Sequence, residues 1–147
     1  MPVETHYVDL GHGAYKHAYG VLTSTELLRC GLTQSEDVEG TQKLRFILYD
    51  FTDVVEARVG HDVLPQLMEL NRTTASNSQG LVAAVVAPNP MIFGFARNWQ
   101  SFAIGQGWHV QVFRERHEAI VWLLAELGQD NIQSPFLADF PELKPAG

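Results

Sequence analysis

The chain has 147 residues, 46% of them apolar and 18% charged, and a formal net charge of −7. That length is one domain able to bury a core, and that balance is globular rather than disordered. The net negative charge, with ten scattered Lys and Arg, argues against nucleic-acid and anionic-membrane partners, because both need clustered cations.

The lone cysteine, Cys30, has no internal disulfide partner, and no apolar run reaches the length of a membrane span. Met1-Pro2-Val3-Glu4 lacks the basic-then-apolar pattern of a signal peptide. These features predict a cytoplasmic protein without stable membrane insertion.

Residues 5–10 read as a first strand and Gly11-His12-Gly13 as a turn. Residues 14–21 alternate, with Tyr15, His17 and Tyr19 on one face and Ala14, Lys16 and Ala18 on the other. Together they predict an antiparallel hairpin. Thr23 stands three before Glu26, the spacing of a capping box. The helix that follows carries Leu27 and Leu28 and is expected to stop at Gly31. Residues 31–42 read as irregular and polar, with one helical turn near residues 35–38.

Residues 43–51 predict the central strand. Phe46, Ile47, Leu48 and Tyr49 are apolar without alternation, which fits a strand covered on both faces. Asp50, Thr52 and Asp53 then mark its C-terminal edge, where open α/β sheets bind ligands. Residues 54–59 read as a loop. A helix opens at Gly60-His61-Asp62 with Asp62 as expected N-cap, and Pro65 is tolerated in its first turn. Residues 81–87 predict a second buried parallel strand. Asn89 and Pro90 predict a clean helix start. Trp108, Val110 and Val112 alternate as a half-buried outer strand. A last helix carries Ala119, Ile120, Leu123, Leu124 and Leu127, with Gly128 as terminator. Residues 129–147 read as an extended arm whose Ile132, Phe136, Leu137 and Phe140 lie on the body or on a partner.

The order β-β-α-β-α-β-α-β-α predicts an α/β fold, a mostly parallel sheet of about five strands with helices on both faces. Several segments in this order resemble the bacterial SpoIIAA-like proteins, which are STAS-like or CRAL-TRIO-like. They are Leu48-Tyr49-Asp50-Phe51-Thr52-Asp53, Val85-Val86-Ala87-Pro88, Phe93-Gly94-Phe95-Ala96-Arg97-Asn98-Trp99 and Val112-Phe113-Arg114. The resemblance covers roughly residues 7–127 and implies a domain at 1–128. Signalling STAS domains carry a phosphorylated serine at the start of the helix after the central strand. Here Arg58-Val59-Gly60-His61-Asp62-Val63 has no hydroxyl, so that switch is not expected.

The leading expectation is a non-catalytic binding module for a small apolar or lipid-like ligand or a protein partner. The pocket is expected at the C-terminal edge of the parallel strands. Asp53, His61, Asp62, Asn89, Phe93 and Arg97 are the candidate ligand-binding residues there, where helix N-termini present free amides. One alternative is a hydrolase-like enzyme using Asp53, His61 and Asp62, since a carboxylate beside an imidazole is the minimum for acid–base work. The other is a purely structural homodimer unit. No nucleotide-binding or nucleophile-elbow motif is present, and no cofactor is expected. His6, His12 and His17 lack the usual spacing of metal ligands, so no metal site is expected. Cys30 is expected to be a buried, inert thiol. A homodimer is the default assembly.

Overall fold

The computed structural model describes residues 3–8 and 12–128. The expected arm at 129–147, and residues 9–11 of the first strand and turn, lie outside the described residues.

The elements are β1 (Val3–Val8), β2 (Gly13–Thr23), α1 (Ser24–Glu36), α2 (Val38–Lys43) and β3 (Phe46–Arg58). A short 3-10 helix (His61–Val63) leads into α3 (Leu64–Asn77), followed by β4 (Val82–Val86), α4 (Pro90–Gly105), β5 (His109–Phe113) and α5 (Arg116–Glu126). One five-stranded sheet runs in the order β1-β2-β3-β4-β5. β1 is antiparallel to β2, and every later pairing is parallel.

Spatial order therefore equals chain order. Crossovers of one hand that always advance in one direction put their helices on one face. Accordingly α1, α3 and α4 pack side by side, while α5 folds back over the other face across β3, β4 and β5. β3 and β4 are thus covered twice. Phe46 and Leu48 face α5, and Ile47 faces the other layer. Every residue of β4 is buried, which is why its sequence shows no alternation. Leu123 and Ile120, both at 3% exposure or less, anchor α5. Each contributes about 1.5–3 kcal/mol of burial.

Several boundaries differ from the sequence expectation, each for a local reason. α1 runs through Gly31 rather than stopping there. The missing side chain lets α1 approach α3, since a Cβ would stand 3.3 Å from Leu70 Cδ1. Asp37 ends α1 and also caps α2, accepting from Gly40 N at 3.0 Å. The residues expected to be irregular are therefore helical.

β3 continues through the expected loop at 54–59 and pairs there with β2 alone. Two register shifts, between His17 and Tyr19 and between Gly20 and Val21, each give β3 one residue more than β2. Such bulges break the period of two by which a strand is recognised. Gly20 supplies the backbone freedom with φ 68°. Asp62 does not cap: α3 starts at Leu64 with no side-chain cap. Asn89 does, its Oδ1 accepting from Met91 N at 2.8 Å and Ile92 N at 3.3 Å.

Gly13 pairs with Phe46 across β2 and β3, and the Phe46 ring lies over it where a Cβ would be. Gly13→Ala is expected to destabilise by about 1–3 kcal/mol through overpacking. Thermal unfolding checks this: a midpoint unchanged from wild type would mean the ring can move aside freely.

Candidate functional site

Between the sheet and the layer of α1, α3 and α4 lies a cavity of about 120 Å³. Its floor is β2, β3 and β4, through Lys16, Ala18, Tyr49 and Val85. Its walls are Leu27 and Cys30 from α1, Leu67 from α3, and Ile92, Phe95 and Ala96 from α4. Small side chains at Ala18 and Ala96, opposite one another across the layers, leave the space open. Trp99 packs edge-on against Tyr49 at 5.5 Å and against Trp108 at 6.2 Å, and all three rings line the cavity. At the C-terminal edge of the sheet the lining residues reach solvent, with His61 and Met91 exposed there.

Polar side chains interrupt this apolar wall, Lys16, Gln34, Asn71, Thr74 and His61 among them. Lys16 is 3% exposed, and its Nζ donates to Thr5 Oγ1 at 3.2 Å. Burial pushes the pKa of this amine down. Gln34 Nε2 donates to Thr41 Oγ1 at 2.6 Å, while the Thr41 hydroxyl donates to the Gln34 backbone carbonyl at 3.0 Å. With the Thr41 proton directed to that carbonyl, the Gln34 amide nitrogen faces the Thr41 oxygen. Gln34 Oε1 is left without a partner among the described residues, and so is Asn71 Nδ2. Both side chains line the cavity. An unpartnered buried polar atom costs on the order of 1–3 kcal/mol, and native structures carry few of them. Burial also pushes the Cys30 thiol and the Tyr49 hydroxyl up, so both are neutral walls at ordinary pH.

Of the candidates read from sequence, His61 lines this cavity, its ring 6.3 Å from that of Phe95. The others stand elsewhere. Asn89 caps α4. Phe93 is packed under the Arg114 guanidinium, 4.2 Å from its centroid. Arg97 and Asp62 are exposed and do not line the cavity. Asp53 lies on the opposite, α5-side face, where its Oδ2 is 2.6 Å from His17 Nε2. Asp53 and His61 are thus separated by the sheet, and the expected acid–base trio does not assemble.

Lys16, Gln34 and Asn71 were not expected at the site. Lys16 carried a signal: it is in phase with Ala14 and Ala18, a cation on the core-facing side of a strand. Asn71 carried a weaker one, standing one helical turn beyond Leu67 on the same side of α3.

The α5-side face holds a second polar group. Asp50, fully buried, accepts from Arg116 Nε at 2.7 Å and from Tyr15 Oη at 2.7 Å. The rings of His6, Tyr15, His17 and Tyr19 follow one another along this face at centroid spacings of 6.2, 5.7 and 5.7 Å. Among the described residues no cluster of His, Cys, Asp or Glu is arranged to hold a metal. Nor is any helix there long and apolar enough to cross a membrane.

No family model, curated protein or solved structure matches the chain.

Proposed function

We propose that this protein is a ligand-binding module of the SpoIIAA-like kind, whose cavity takes a small molecule with an apolar body and a polar head. The observation that carries this reading is the pair of polar atoms without a partner among the described residues, Gln34 Oε1 and Asn71 Nδ2, buried in the wall of a mostly apolar cavity. A head group that both donates and accepts would satisfy them and remove their desolvation cost.

Size narrows the ligand. A cavity of roughly 150 Å³ holds one benzene, so the 120 Å³ here suits a body of about six carbons. A long acyl chain would have to leave by the opening at His61 and Met91.

The test is a calorimetric and thermal-shift titration with hexanoate, hexanamide and palmitate. Hexanamide, whose head group both donates and accepts, is expected to bind. At a hundredfold excess over Kd the gain is about 2.7 kcal/mol, a rise of roughly 5–10 °C for a chain of this size. Ala96→Leu, which fills the cavity, is expected to fold normally by circular dichroism and to lose the binding. Wild type binding none of the three, or Ala96→Leu binding as well as wild type, would remove the proposal.

A further inference from the structure

Lys16 lines the cavity with a buried amine. Among the described residues its amine has no carboxylate within ion-pair distance; its hydrogen bond goes to the Thr5 hydroxyl. The acid that acts on it electrostatically, Asp37, is already engaged: Tyr7 Oη donates to one oxygen at 2.8 Å and Gly40 N to the other at 3.0 Å. The remaining titratable neighbour is the Cys30 thiol, which burial keeps protonated. A buried amine with no counter-ion favours its neutral form, and the neutral amine is the form that attacks carbonyl carbon.

We propose that Lys16 captures small aldehydes as an imine inside the cavity. This rests on the cavity being a ligand site and assigns its substrate class: a carbonyl compound with an apolar body of about six carbons. The Lys16 nitrogen lone pair forms a bond to the carbonyl carbon, and a proton passes from nitrogen to oxygen to give a carbinolamine. The remaining nitrogen proton then passes to the hydroxyl, the carbon–oxygen bond breaks, water leaves, and a C=N bond remains. One amine and one aldehyde give one imine and one water, with no oxidant or reductant. The two orphan side chains suit the intermediate. Asn71 Nδ2 is a donor for the developing oxygen, and Gln34 Oε1 is an acceptor for the hydroxyl of the carbinolamine.

The chain lends itself to the test because it has three lysines, Lys16, Lys43 and Lys144. The full-length protein is incubated with hexanal and sodium cyanoborohydride at neutral pH. Peptide mass mapping then follows hexyl addition at each amine over time. Lys16 is expected to be alkylated roughly tenfold or more faster than exposed Lys43, through its neutral form and the bound aldehyde. Hexanamide is expected to protect Lys16 and leave Lys43 unaffected. Ala96→Leu is expected to abolish labelling at Lys16 only.

Labelling at Lys16 no faster than at Lys43 would overturn the inference. If hexanamide still binds in that case, the cavity remains a reversible ligand site. If neither binding nor selective labelling occurs, both readings fall. Selective labelling that persists in Ala96→Leu would also overturn it, since the amine would then react from outside the cavity.

Discussion

Arg116→Met is expected to lower stability by about 3–5 kcal/mol, the usual result of removing one partner from a buried ion pair. Asp50 has no exposed surface. Without the guanidinium at 2.7 Å, its carboxylate is left with neutral donors only, the Tyr15 hydroxyl and Thr52. Charge-assisted bonds are about twice as strong as neutral ones. Asp53→Asn is the control. That side chain is 54% exposed, and Arg116 Nη2 lies 3.8 Å from it, so its loss is expected to change stability by less than about 1 kcal/mol. Urea unfolding of both variants checks this. A midpoint for Arg116→Met close to that of wild type would show that Asp50 is not held by its charge partner.

Lys16→Met is expected to act in the opposite direction, stabilising the protein by on the order of 1–3 kcal/mol at pH values below the folded-state pKa of Lys16. The long apolar stem is kept, and an ammonium with no carboxylate in ion-pair distance among the described residues is removed. The pH dependence follows from the lowered pKa of Lys16. Below the folded-state value, lysine is charged in both states and the full burial cost is present. Between that value and the ordinary 10.5, the unfolded chain binds a proton that the folded chain has shed, so wild-type stability rises with pH. The advantage of Lys16→Met is therefore widest at low pH and closes as pH approaches 10.5. Parallel curves for the two proteins across that range would contradict the shift. A residue whose removal stabilises is one retained for something other than stability.

The sheet was legible in the sequence where burial erased the alternation, at Phe46–Leu48 and through β4. The α4 start was legible because Asn89 and Pro90 do by local chemistry what their types allow anywhere. Two classes of residue were not. Gly31 looks like a helix stop, and only the presence of α3 makes it a close-approach contact within a helix. Asp50 looks like a polar strand edge, and only Arg116, far along the chain, makes burial possible. The site is hidden for the same reason. Its polar groups come from β2, α1 and α3, and no spacing along the chain records that Lys16, Gln34 and Asn71 share one cavity. Asp53 has its imidazole, but His17, two strand positions past Tyr15 on β2, supplies it rather than the nearer His61.

Because strand order in space repeats strand order in sequence, synthesis can build this sheet from one side. As the chain leaves the ribosome, each new strand finds the edge it must join already exposed and close by, so loop closure is inexpensive at every step. α5 is the exception. Until Arg116–Glu126 has emerged, the apolar face of β3, β4 and β5 has no cover and Asp50 has no cation. A nascent chain stalled before Arg116 would display that naked face, which is the kind of surface that draws chaperones and seeds aggregation.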